Sequence, residues 1–181
     1  QQLALLMQRL DEFPKPTLAL VNGAAFGGAV GLVACCDSVI SAAHASFCLS
    51  EVRIGLIPAV ISPFVVNKIG VSWSRHLMTS AKAFTASQGL AYGLVHEVVP
   101  TDELNNAKEQ WILTTLNNSP EAVVQIKMLL KGINKHSPIA KENLASTTSH
   151  TTKAIAKTRV STTGQAGLKA FLTKTTAPWK Q

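Results

Sequence analysis

The chain has 181 residues, 46% of them hydrophobic and 15% charged, a balance that suits a well-packed globular protein and excludes disorder as a description of most of it. Its formal charge is +7, and between Lys127 and Lys180 ten Lys and Arg residues face a single acid, Glu142. That stretch reads as a solvated helical surface or a partner for phosphate; DNA is disfavoured, because only Phe171 and Trp179 supply rings there and only Arg159 a guanidinium.

Leu3, Leu6, Met7 and Leu10 recur at helical spacing up to Phe13-Pro14-Lys15-Pro16. No basic n-region of a signal peptide precedes them. Thr17–Val21 reads as a short buried strand that ends in the Asn22-Gly23 turn, and Gly27-Gly28 lead into an Ala/Val/Leu helix ending near Cys36. Thr17 to Cys36 is a 20-residue apolar run, but its turn signals, its small residues and the closing Asp37 favour strand–turn–helix over a membrane span. Cys35, Cys36 and Cys48 form no CxxC pair and no metal-ligand spacing with histidine. They are expected to be core residues in a reducing compartment, the cytoplasm or, in a eukaryotic cell, the mitochondrial matrix.

Ser38–Ala42 and Ser46–Leu49 read as strands, and Glu51–Pro58 as a loop bounded by Gly55 and Pro58. Helices are expected at Val60–Ile69, Ser72–Thr79 and Ala86–Tyr92, then a last strand at Val95–Val99. From Thr101 the pattern is helical throughout: to Leu116, from Ser119-Pro120-Glu121 to Ile133, from Ser137-Pro138 to Thr158, and from Gly164 to Thr173. The expected organisation is an α/β part over residues 1–100 and an all-helical part over 101–181. A buried strand at Leu18–Val21 needs neighbours on both edges. The chain does not visibly supply them, so the α/β part is read as incomplete.

Two elements could carry chemistry. In Val21-Asn22-Gly23-Ala24-Ala25-Phe26-Gly27-Gly28 a strand leads through glycines into a helix, whose free N–H groups suit a phosphate or an oxyanion. The spacing matches neither GxGxxG nor a P-loop, and a tight corner is the plainer alternative. The second element, Phe47 to Pro58, holds Glu51 as a lone carboxylate in apolar surroundings, a setting for proton transfer or for an ion pair with Arg53. The five histidines make no metal or triad pattern.

In order along the chain stand Lys15-Pro16, Val21-Asn22-Gly23, Gly27-Gly28, Cys36-Asp37, Phe47, Glu51, Gly55 and Pro58, then Phe84-Thr85-Ala86, Gly93-Leu94-Val95 and Arg159-Val160-Ser161 through Phe171-Leu172. This series resembles the crotonase (enoyl-CoA hydratase/isomerase) family. The resemblance implies the C-terminal part of a ββα spiral core followed by an all-helical trimerisation region. It also implies an acyl-CoA thioester as substrate, with coenzyme A as part of the substrate and no other cofactor or metal. It makes the Gly28 N–H one of two oxyanion donors, the second lying on a segment before this chain, and Glu51 the catalytic acid–base. Gly27 and Gly31 would line the substrate, and Phe171 and Lys180 would reach the CoA of a neighbouring subunit in a homotrimer or dimer of trimers.

Gly31 stands where two-carboxylate hydratases carry a glutamate. The run Leu49 to Pro63 is most similar to single-glutamate hydratases of branched-chain catabolism such as methylglutaconyl-CoA hydratase. Hydration of a branched 2-enoyl-CoA is therefore expected. A 3-enoyl to 2-enoyl isomerase and a non-catalytic assembly or RNA-binding module are the alternatives.

Overall fold

Asp37 and Thr17 show how the chain sets its register. In the computed structural model, which describes residues 2–135 and 144–180, the Asp37 carboxylate accepts from both the N–H (2.8 Å) and the hydroxyl (2.9 Å) of Thr17. The Asp37 N–H donates back to Thr17 Oγ1. This clasp aligns the starts of β1 (Leu18–Val21) and β3 (Ser38–Ala42), which run parallel with Leu18 opposite Ser38. β6 (Glu97–Val99) joins the other edge of β3, giving a parallel sheet in the order β1-β3-β6.

A second sheet is laid down by the same winding. β2 (Ala24–Phe26) follows β1 but pairs in parallel with β4 (Ser46–Cys48), and β5 (Phe84–Thr85) closes antiparallel on β4. The chain thus makes two successive β–β–α turns: β1, β2 and α2 (Gly28–Cys35), then β3, β4 and α3 (Ser62–Ser80). Parallel pairing of both strands of one turn with their counterparts in the next is what the ββα spiral implied by the family resemblance requires.

The spiral buries one continuous core. α2 is apolar on all sides, with Val30, Val33, Ala34 and Cys35 buried, so it lies inside rather than on the surface. Phe47 of β4 is fully buried and stacks on Phe84 of β5 with ring centroids 5.4 Å apart. Burial of one such ring stabilises by about 1.5–3 kcal/mol. Ile40, Ala42 and Leu104 form a smaller cluster with Trp111 against it.

α1 (Gln2–Asp11) sends Met7 into the core, fully buried. The two helices expected over 60–79 meet at a kink within α3, at Gly70, whose φ of 74° and ψ of 166° are non-helical. α4 (Ala86–Tyr92) starts with a capping box, Thr85 Oγ1 accepting from the Gln88 N–H and Gln88 Oε1 from the Thr85 N–H.

The chain divides into two compact units, residues 1–111 and 112–181, with α5 (Leu104–Leu116) running through the boundary. The second unit contains α6 (Pro120–Lys135), α7 (Leu144–Val160) and α8 (Thr162–Leu172). The expected start of its middle helix at Ser137-Pro138 lies outside the described residues. After α8 the chain returns on itself, and the Trp179 ring lies directly against Gly167.

Candidate active site

Gly27 is the hinge on which the site is built. It ends β2 and caps α2 with φ 55° and ψ −122°, a combination in which an L side chain is strained. Its N–H is committed to the Cys48 carbonyl at 2.8 Å, continuing the β2–β4 pairing, and its own carbonyl accepts from the Val30 N–H. The next N–H, that of Gly28, belongs to the first turn of α2 and has no partner within the helix. A Cβ on Gly28 would meet nothing within 4 Å. The space beside the Gly28 Cα is therefore open, at the positive end of a helix.

Glu51 comes to the same corner from the other strand–helix junction. β4 ends at Cys48, and the chain turns through Ser50 into a 3-10 turn, Glu51–Ile54, capped by Gly55 in the left-handed region. A Cβ on Gly27 would lie 3.4 Å from Glu51 Oε1 and 3.8 Å from Ser50 Oγ. The carboxylate thus faces the glycine corner, and its Oε2 is buried without a hydrogen-bond partner among the described residues. A buried carboxylate oxygen without a protein partner leaves its lone pairs available to water or a ligand.

The ion pair between Glu51 and Arg53 that the sequence left open is not formed. Arg53 Nη2 instead donates to the Ala81 carbonyl at 2.6 Å. Ala81 closes α3 in the left-handed region, with φ 47° and ψ 29°, a conformation that costs an alanine about 1–2 kcal/mol. Its carbonyl also receives the Cys48 thiol at 3.1 Å. This joint ties the Glu51 turn to the end of α3 and leaves the carboxylate unpaired. Nothing in the sequence announces it, since 28 positions separate donor and acceptor.

The C-terminal end of α2 is held by Lys68 of α3. Its Nζ donates to the carbonyls of Cys36 at 2.7 Å and Asp37 at 3.4 Å, placing a cation against the negative end of the helix. Burial lowers the pKa of Lys68, against the pull of Asp37 and the neighbouring acids and thiols. Burial pushes the Cys35 thiol up to about 12, with Asp11 and Cys36 acting in the same direction. Cys35 is thereby a core residue rather than a nucleophile.

Gly31, one helical turn beyond Gly28, is buried. A Cβ there would stand 2.7 Å from both Ile61 Cβ and Met7 Cε. The space into which a side chain at position 31 would project is filled by apolar groups from α1 and from the start of α3. The corner accordingly holds one carboxylate, that of Glu51. Phe171 and Lys180 lie in the second unit, both exposed, Phe171 at 79%. That unit also contains a cavity of about 270 Å³ lined by Glu121, Gln125, Lys157, Ser161 and Trp179 among others. Among the described residues no cluster of three or more His, Cys, Asp or Glu could hold a metal ion. No helix there is long and apolar enough to cross a membrane.

Comparison with known proteins agrees with the geometry. The family described as enoyl-CoA hydratase/isomerase matches residues 1–181. The crystal structure of an enoyl-CoA hydratase from Shewanella pealeana superimposes with a TM-score of 0.90 at 44% identity, over 98% of this chain and 64% of that one. A crotonase-type structure from Legionella pneumophila gives 0.86 at 44% identity, over 98% and 67%. An enoyl-CoA hydratase of Alternaria alternata is 37% identical over 127 residues, 70% of this chain and 43% of that protein. The chain spans about half the length of the curated relatives it matches. With its spiral of paired ββα turns, a glycine corner at the head of α2 and a carboxylate facing it, the chain belongs to the enoyl-CoA hydratase/isomerase family.

Proposed function

We propose that the corner formed by Gly27, Gly28 and Glu51 hydrates the 2,3 double bond of a 2-enoyl-CoA. The observation that carries this reading is the half-buried Glu51 carboxylate, which faces a helix N-terminus and whose Oε2 is buried without a hydrogen-bond partner among the described residues. With the thioester carbonyl at the Gly28 N–H, charge that develops on its oxygen is stabilised by that amide and by the α2 dipole. Glu51 takes a proton from water as the water oxygen bonds to C3, and the double-bond electrons move toward the carbonyl to give an enolate. The enolate then collapses and takes the proton back from Glu51 at C2, so that one molecule of water has been added across one face. The names of the relatives support the reaction class.

The same reading extends to a branched acyl group, supported by the Leu49 to Pro63 run, and to a trimer or dimer of trimers. In such an assembly the exposed Phe171 and Lys180 would meet the adenine and phosphates of a neighbouring subunit's CoA. A second reading, 3-enoyl to 2-enoyl isomerisation with Glu51 moving a proton from C2 to C4, draws support from the apolar packing of Ile61 and Met7 over Gly31. That packing leaves the corner with a single carboxylate.

The test is Glu51→Gln in the full-length protein, assayed with 2-enoyl-CoA and 3-enoyl-CoA thioesters. Turnover should fall by about 10²–10⁴-fold while CoA binding stays within about threefold, because Glu51 is placed at the reacting carbons. A variant retaining more than about a tenth of the rate would rule out Glu51 as the base. Formation of a 3-hydroxyacyl-CoA identifies the hydratase, and a shifted alkene the isomerase.

A further inference from the structure

We infer that the Ser50 hydroxyl holds the attacking water beside Glu51, taking the part that a second carboxylate would otherwise play. The inference rests on the hydratase reading above and adds a residue to it. A water that attacks carbon must be held by more than its base: one O–H points at the carboxylate, and a further contact must aim the oxygen lone pair at C3. Position 31 supplies nothing for this, since Gly31 has no side chain and Ile61 and Met7 occupy the space beyond it.

Apart from Ser50 and Glu51, the three side chains between Cys48 and Ser62 that can donate a hydrogen bond are already engaged. Arg53 and Cys48 both donate to the Ala81 carbonyl, and Ser62 Oγ donates to the Ala59 carbonyl at 3.0 Å. Ser50 is different. It is half-buried, it precedes the Glu51–Ile54 turn, and its hydroxyl makes no capping bond to that turn. Nor does Ser50 Oγ make a hydrogen bond to any other described residue. Its oxygen and Glu51 Oε1 both lie within 4 Å of one point, the position of a Cβ on Gly27. A hydroxyl can donate to the water oxygen or accept its second hydrogen, so a water seated between Ser50 and Glu51 is held at two points while Glu51 removes its proton.

The experiment measures steady-state hydration of a 2-enoyl-CoA by the full-length protein and its Ser50→Ala, Ser50→Thr and Glu51→Gln variants, with circular dichroism to establish folding. Ser50→Ala should lower kcat by about ten- to a hundredfold and leave KM within about twofold, because the hydroxyl touches water and not the acyl-CoA. Ser50→Thr keeps the hydroxyl and should recover at least about a third of the wild-type kcat. Loss of less than about threefold in Ser50→Ala, a loss carried by KM, or a threonine variant as slow as the alanine variant overturns the inference. If Glu51→Gln is inactive while Ser50→Ala is not, the hydratase reading stands and the role of Ser50 falls. If the wild-type protein produces no 3-hydroxyacyl-CoA, both fall together.

Discussion

Gly31 separates two opposing effects at a single residue. Replacing a helix-interior glycine by alanine ordinarily stabilises by roughly 0.5–1 kcal/mol. Here the new Cβ would stand 2.7 Å from Ile61 Cβ, close to that residue's backbone, and equally close to the end of the Met7 side chain. Met7 can move its terminal methyl, but Ile61 is 3% exposed at the start of α3 and has nowhere to go. Overpacking of this kind costs about 1–3 kcal/mol, so steric conflict outweighs the gain in helix propensity. Gly31→Ala is expected to lower the urea midpoint. Gly31→Glu should lower it further without raising hydration, because the added carboxylate meets Ile61 and Met7 rather than open space. A Gly31→Ala protein as stable as wild type would show that the packing at this position is looser than described. At this scale the sequence is informative where the residue type itself carries the chemistry: a glycine pair before an apolar helix and a lone glutamate in an apolar run identify the corner. It is silent on partners. The Arg53–Ala81 joint and the filling of position 31 by Met7 and Ile61 arise from residues tens of positions apart, brought together only by the spiral.

Among the elements, the strands that sequence reading overlooks are those that exist only by pairing. β2 is Ala-Ala-Phe and β5 is Phe-Thr, too short to show an alternating pattern. Each is a strand because β4 lies beside it. The helices and the longer strands carry their own signals, among them the Thr85/Gln88 capping box and the apolar run of α2. The pairing of β3 with the segment leading into β6 has a pH-sensitive link. His96 Nδ1 accepts the Val39 N–H at 2.9 Å, and the His96 N–H donates to the Val39 carbonyl at 2.9 Å. That acceptor role requires a neutral ring. Desolvation, with Lys68 adding positive charge nearby, lowers the His96 pKa from 6.5. The unfolded chain therefore binds this proton at a higher pH than the folded one, and stability falls as pH drops from about 6.5 through the depressed folded value. His96 as a whole residue is exposed, so the loss is small. Urea midpoints at pH 7.5 and 5.5 should differ in the wild-type protein, and by less in His96→Gln, whose amide oxygen can accept the same N–H without titrating. An equal difference in both proteins would assign the acid sensitivity to other groups.

For the whole molecule, the distribution of burial between the two units decides which opens first. Nearly all of the buried residues among those described lie in residues 1–111, including Phe47, Met7, Ile40, Leu49, Leu77 and Leu94. In the described part of residues 112–181 the buried positions are Ser119 and Ala170, while Ile126, Met128, Leu130, Ile155, Val160, Phe171 and Leu172 are all more than half exposed. A unit with so few buried apolar groups has little to oppose local opening. Its exposed apolar side chains are what an assembly of chains would cover. Hydrogen exchange read by mass spectrometry at low protein concentration should therefore find amides of β1, α2 and β3 protected on the order of tenfold or more beyond those of α6 and α8. Raising the concentration should increase protection in α6 and α8 and leave that of β1, α2 and β3 unchanged, since association stabilises the surface it covers by mass action. Equal protection of both units at every concentration would mean that α6, α7 and α8 are stable without a partner, and the trimer proposed for them would lose its physical motive.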